Sequence, residues 1–228
     1  MHNTDKFNEE FQKIDHFKKY PEMLPFVGRK YESKEHTKII IIGESNFFPE
    51  ASTIHLDVDN WYSGNSSTLS GEERKYISNI GIVNKGNNQY WKRGAHYMYK
   101  NIESCLIDSG FSKESNSMSH ISYINGFFRP AKNGDSIKKI CTADDIKASE
   151  VIINKIIDII QPDLVLIASV YTNRKLSKLI NHKNIQYTCH PLANFYWNRK
   201  GYKNGRNKFI NIISNQLTIG KLYLINEH

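Results

Sequence analysis

Apolar residues recur at spacings of three and four over residues 5–20, where Phe7, Phe11, Ile14 and Phe17 share one stripe. That period predicts an amphipathic helix, closed by Pro21. Beyond an irregular lead-in to residue 36, Thr37-Lys38-Ile39-Ile40-Ile41-Ile42 is a β-branched run ending at Gly43. A continuous apolar strand of this kind is buried on both faces, as in a parallel sheet. Leu164-Val165-Leu166-Ile167-Ala168, just after Pro162, is a second such run. Alternation predicts a further strand over 120–127, stopped by Pro130, and a short one over 185–188.

Helices fall between these strands. Thr142-Ala143-Asp144-Asp145 caps a helix running to about residue 160, with Val151, Ile152, Ile156, Ile159 and Ile160 on one stripe. Another is predicted over 94–108, where Ser109-Gly110 stops it, and others over 172–180 and 207–216. The segment 44–93 is loop-rich, with Asn, Ser and Gly clusters at 63–67 and 86–88. It carries one helix starting near Ser70, where Ser70-Gly71-Glu72-Glu73 forms a capping box. Strands alternating with helices predict an α/β fold, three-layer α/β/α with a central parallel sheet. One domain is expected over 1–228, with an N-terminal helix and lead-in at 1–36 and a long loop-rich insertion at 44–93.

Composition narrows the class. At 228 residues, 39% hydrophobic and 12% aromatic, the chain can bury a core and is too apolar for a disordered polymer. No apolar run approaches the ~20 residues of a membrane-spanning helix, and the polar first twenty residues do not form a secretory signal. Three widely spaced cysteines, Cys105, Cys141 and Cys189, argue against a disulfide scaffold and against a cysteine-only metal or cluster site. A soluble, cytoplasmic monomer with no cofactor and no membrane partner is expected. The formal charge of 31 − 23 = +8 favours a polyanionic partner, DNA or a nucleotide. A composition rich in lysine, asparagine and isoleucine gives the same balance, so charge alone does not select a function.

Chemistry is expected outside the carboxyl ends of the strands, where loops of open parallel sheets gather polar groups. Three strands end in such segments: Gly43-Glu44-Ser45-Asn46-Phe47-Phe48-Pro49, Asn125-Gly126-Phe127-Phe128-Arg129-Pro130, and Cys189-His190-Pro191-Leu192-Ala193-Asn194-Phe195-Tyr196-Trp197. Together they offer a carboxylate, carboxamides, an imidazole, a guanidinium and aromatic faces. That set suits a planar, hydrogen-bonding ligand such as a nucleobase.

The order of these segments resembles the uracil-DNA glycosylase superfamily over residues 38–213. In its iron–sulfur branch the first strand leads into G-E-x-P-G, as here into Gly43-Glu44-Ser45-Asn46-Phe47, with Asn46-Phe47 in place of Pro-Gly. A later strand carries an Asn and ends in Arg-Pro, as Asn125 and Arg129-Pro130 do. The next helix and strand resemble 142–168, and an H-P-[SA] loop is matched by His190-Pro191. The loop of the single-strand-selective branch, H-P-S-P followed by Ala-Asn and Trp, is similar to His190-Pro191, Ala193-Asn194 and Trp197. The cluster-binding cysteines are absent, so the resemblance implies no iron–sulfur cluster.

The resemblance implies roles for these residues, and each has a plainer alternative. Glu44 would activate water or stabilise oxocarbenium character on the sugar; otherwise it accepts loop N–H groups or pairs with Arg129. His190 would donate to the leaving base, where negative charge develops; otherwise it only fixes the turn before Pro191. Asn125 or Asn46 would read the base edge, and Phe47 or Phe48 would stack on it, unless the amides bind backbone and the rings are core. Arg129 would contact phosphate or brace Glu44. Arg199, Lys200, Lys203 and Arg206, ahead of a helix, would form a phosphate- or DNA-binding edge or a solvated basic loop. Tyr90-Trp91-Lys92-Arg93 and Asn60-Trp61-Tyr62 would grip a single strand or form a packed lid. His55, Asp57 and Asp59 alternate like metal ligands but lack further partners in sequence, so no metal is expected.

Three functions follow. The first is a glycosylase that flips a damaged base, uracil first among candidates, and hydrolyses its N-glycosidic bond. The second is a catalytically silent member of the same fold that binds nucleic acid or a nucleotide. The third is a hydrolase of free nucleosides using the same carboxylate and histidine.

Overall fold

Four consecutive isoleucines set the middle of the sheet: Ile39, Ile40, Ile41 and Ile42 are all fully buried. In the computed structural model, which describes residues 2–63, 69–92, 96–112, 116–198 and 204–226, they open the second of five strands. The strands are β1 (Phe26–Val27), β2 (Ile39–Phe48), β3 (Ser122–Lys132), β4 (Leu164–Ile167) and β5 (Ile185–Tyr187). They form one mixed sheet in the order β1-β3-β2-β4-β5. β3, β4 and β5 join the sheet in parallel, and only β1 runs antiparallel, against β3. The expected all-parallel sheet is therefore corrected at one edge, where Phe26 pairs with Tyr123 and Val27 with Ser122.

Strand side chains alternate between faces, so each face has its own core. Ile40, Ile42, Ile124, Val165 and Ile167 lie on one face; Ile39, Ile41, Tyr123, Leu164 and Leu166 lie on the other. The helices among the described residues are α1 (Asn8–Phe11), α2 (Asp15–Lys19), α3 (Val58–Ser63), α4 (Gly71–Ile77), α5 (Asn79–Asn88), α6 (Tyr97–Asp108), α7 (Ala143–Ile160), α8 (Val170–Leu176), α9 (Asn194–Trp197) and α10 (Gly205–Asn226). The first face is covered chiefly by α7, through Ile152, Ile153, Ile156, Ile157 and Ile160, with Phe11, Phe17 and Trp61 alongside. The second is covered by Ile102 and Leu106 of α6 and by Phe209 and Ile213 of α10. Each such side chain contributes about 1.5–3 kcal/mol through its burial. Helices thus lie on both sides of the sheet.

Local signals explain several boundaries. The Thr142 hydroxyl accepts from the Asp145 N–H, and the Asp145 carboxylate accepts from the Thr142 N–H, the reciprocal box that starts α7. Ser70 and Glu73 do the same for α4.

Three expectations are corrected. The N-terminal stripe is two short helices, α1 and α2, with Ile14 extended between them, because Phe11 and Phe17 both turn into the core with rings 6.3 Å apart. Segment 44–93 begins inside β2 and carries three helices, α3, α4 and α5, rather than one. Its glycine at 86 serves packing rather than looping, since a Cβ there would lie 2.4 Å from the Trp91 ring; part of its 63–67 cluster lies outside the described residues. Finally, β2 and β3 run past Gly43 and Phe127. Their register shifts from Ser45–Phe127 to Phe47–Ala131, so β3 carries two extra residues. Pro130, with no N–H for the ladder, sits in that irregular stretch instead of ending the strand. No helix among the described residues is long and apolar enough to cross a membrane.

Candidate active site

β2 and β4 are neighbours whose connections leave in opposite directions along the sheet, β2 toward β3 and β4 toward β5. Such a switch point opens a crevice at the carboxyl ends of the strands. A cavity of about 1180 Å³ adjoins this end of the sheet. Glu44, Asn46 and Phe47 reach it from β2, Asn125 from β3, Ser136 from the turn beyond β3, and His190 from the segment after β5.

Glu44 is held on both oxygens. Ser136 Oγ donates to Oε1 at 2.5 Å, and Ser169 Oγ donates to Oε2 at 2.9 Å. Ser169 also accepts from the Thr172 N–H at 3.2 Å, so one hydroxyl caps α8 and orients the carboxylate. Ser136 is brought back by a turn in which Asp135 N–H bonds Lys132 C=O at 2.9 Å, with Gly134 at φ 78°. A side chain at that position would strain the backbone.

His190 has a defined tautomer. Its Nδ1 accepts from the Leu192 N–H at 3.1 Å, so the neutral ring carries its proton on Nε2. Burial lowers its pKa below the ordinary 6.5, and the negative charge of Glu44 opposes that shift in part. The adjoining loop is tied down where Asn101 Nδ2 donates to Pro191 C=O at 2.8 Å. A neutral imidazole donor and a carboxylate thus act on one electrostatic site.

The two carboxamides form a pair. Asn125 Nδ2 donates to Asn46 Oδ1 at 2.8 Å, and Asn125 Oδ1 accepts from the Tyr123 hydroxyl at 2.9 Å. Asn46 is anchored in turn by a 3.4 Å bond to Ile77 C=O. Burial, then the charge of Tyr99 and its hydrogen bond, push the Tyr123 hydroxyl pKa well up, so it remains protonated and a donor. Asn125 keeps one N–H and one lone pair for a ligand edge. Gly43 makes this possible: a Cβ there would lie 2.3 Å from Tyr123 Oη and 2.5 Å from Asn125 Oδ1.

The adjacent phenylalanines separate by role. Phe47 is 39% exposed and meets Tyr76 edge-on, with centroids 5.6 Å apart, whereas Phe48 is fully buried against His55 and Trp61. Phe47 is the ring available to a ligand.

The structure corrects the expected phosphate contact of Arg129. Arg129 is 1% exposed and does not reach Glu44. Its Nε and Nη2 donate to Asp145 at 2.8 and 2.6 Å, while Nη1 and Nη2 donate to the carbonyls of His55 and Ile140 at 2.9 and 2.5 Å. Four of its five N–H donors are turned inward. Arg206 pairs with Asp108 at the end of α6, so its charge is already engaged. Arg199, Lys200 and Lys203 lie outside the described residues. Trp61 and Trp91 are core rather than strand-gripping: Trp61 stacks on Tyr20 at 4.3 Å, and Trp91 donates its indole N–H to Glu103. His55 is fully buried, and no group of three His, Cys, Asp or Glu among the described residues is placed to hold a metal ion.

Sequence reasoning missed one wall. Glu72, Lys75 and Tyr76 of α4, and Ser78 with Gly81, Ile82 and Lys85 of α5, also line the cavity. Their spacings of three and four mark helix faces, a signal obscured by the glycines and asparagines of this segment. Met98 and Tyr99 of α6, with His96 just ahead of it and Leu192, also line the cavity. No protein-family model matches the chain, and no curated protein matches its sequence.

Proposed function

We propose that this chain is a divergent relative of the uracil-DNA glycosylase superfamily that hydrolyses the N-glycosidic bond of a flipped base, with uracil the first candidate. One observation carries the reading: a carboxylate, an imidazole, a carboxamide pair and an exposed aromatic ring, from chain segments up to 146 residues apart (44 to 190), share one cavity. As the C1′–N bond breaks, positive charge develops on the sugar and negative charge on the base. Glu44, engaged by Ser136 and Ser169, faces the first as a fixed charge; the Nε2–H of His190 donates to the second. Water then adds its oxygen to C1′, and its proton balances the departing base anion. The remaining N–H and lone pair of Asn125 read the base edge while Phe47 covers its face.

The test is incubation of the purified protein with uracil-containing single- and double-stranded oligonucleotides, followed by alkaline cleavage at abasic sites. Cleavage at the uracil position is expected. No abasic product at enzyme excess in either substrate would reject the activity for uracil. Salt-sensitive binding without release would instead favour a silent binder, a reading consistent with a carboxylate already engaged on both oxygens.

A further inference from the structure

The base-reading groups occupy the part of the cavity formed by the strand ends. The α4–α5 wall carries a different chemistry. On it, Lys75 and Lys85 are exposed, line the cavity, and have no ion-pair or hydrogen-bond partner among the described residues. The other charges lining the cavity are accounted for. Glu44 is held by two serines and Asp135 by Lys139, leaving Glu72 as the single acidic side chain on the α4–α5 wall.

From Ser78 to Lys85 the α5 face extends about 10 Å at 1.5 Å per residue. That exceeds the roughly 3.4 Å axial rise of one stacked nucleotide, so the face is longer than a single nucleotide step. The volume agrees, since 1180 Å³ exceeds the roughly 300–1,000 Å³ of ordinary small-ligand pockets and leaves room for sugar and phosphate beside a base.

We infer that Lys75 and Lys85 form a phosphate subsite on the α4–α5 wall, which holds the phosphodiester strand flanking the base and makes a polynucleotide, not a free nucleoside, the ligand. The inference rests on the reading that the cavity takes a base. It places backbone contacts on a wall that the sequence pattern did not single out.

The experiment measures binding of a fluorescent single-stranded oligonucleotide with one central deoxyuridine to the full chain over a salt series. It compares wild type, Lys75→Glu/Lys85→Glu, and Lys147→Glu as a control in a separate hollow bordered by α2, α3 and α7. Both cavity lysines are exposed, and circular dichroism verifies folding. The double variant should bind about ten-fold more weakly at low salt, and its log K against log salt slope should shrink by about 1.4, or 0.7 per lost cation. Lys147→Glu should match wild type, and deoxyuridine should compete far less well than its 5′-monophosphate. Unchanged affinity and slope in the double variant would overturn the subsite. Because binding is read separately from base release, the two readings fail separately. Lysine-dependent binding without abasic product retains the subsite and rejects hydrolysis; abasic product with an unchanged salt slope does the reverse.

Discussion

Replacing Asp145 with asparagine removes the charge that neutralises Arg129 inside the protein. The two side chains are 0% and 1% exposed, so water cannot substitute for the lost partner. Asp145 also accepts from the Tyr62 hydroxyl at 2.8 Å and from the Thr142 N–H at 2.8 Å. Burial raises the Asp145 pKa, but the bonds from Arg129, Thr142 and Tyr62 outweigh it and hold the carboxyl below its ordinary value. An asparagine would present an NH₂ group where only acceptors fit. Breaking a buried pair by removing one member costs about 3–5 kcal/mol. At an m of about 3 kcal/mol per molar urea, the midpoint should fall by roughly 1–1.7 M. Urea unfolding followed by tryptophan fluorescence measures it directly, because Trp61 donates to Phe128 C=O next to Arg129. Arg129→Lys separates a structural from a phosphate-binding role. It keeps the charge but loses the fork, so stability should drop while the salt slope of oligonucleotide binding stays fixed. A wild-type midpoint in Asp145→Asn, or a flattened salt slope in a folded Arg129→Lys, would refute the structural assignment.

Three further outcomes follow from the geometry. His190 should titrate below pH 6.5 by NMR, and Glu44→Gln should move it lower still, because the charge that opposes its downward shift is removed; an unmoved midpoint would mean that the two groups do not share a site. His16, buried among Phe17, Tyr20, Tyr62 and Phe128, has its pKa lowered to about 3 by desolvation first and by Lys19 second. The unfolded chain therefore takes up a proton below pH 6.5 that the folded chain refuses until about pH 3. Stability falls across that window by about 1.4 kcal/mol per pH unit, or about 2 kcal/mol by pH 5, and a His16→Phe variant whose urea midpoint is as acid-sensitive as wild type would contradict this. Gly43→Ala should displace Asn125 and destabilise the fold by about 1–3 kcal/mol, abolishing uracil binding by calorimetry; full binding with wild-type stability would show that the contact at Gly43 is not restrictive.

What could be read from the chain was local, and what could not was pairing across distance. The isoleucine run, the apolar strand at 164–167 and the Thr142–Asp145 box each carry their signal within a few residues. β1 is only Phe26–Val27, and its existence depends on Tyr123 and Ser122 nearly a hundred positions away. Arg129 shows the same limit at a single residue. Its position at a strand end was visible, but the direction of its side chain follows from the extra residues in β3 and from a carboxylate on α7. The carboxamide pair lies between these extremes. Asn46 and Asn125 compete as alternatives in sequence, yet the hydrogen bond across 79 positions makes them one unit. That unit exists only because the residue before Glu44 lacks a side chain. The glycine that marks the end of an apolar run is therefore also what lets the Asn125 amide approach β2 and pair with Asn46.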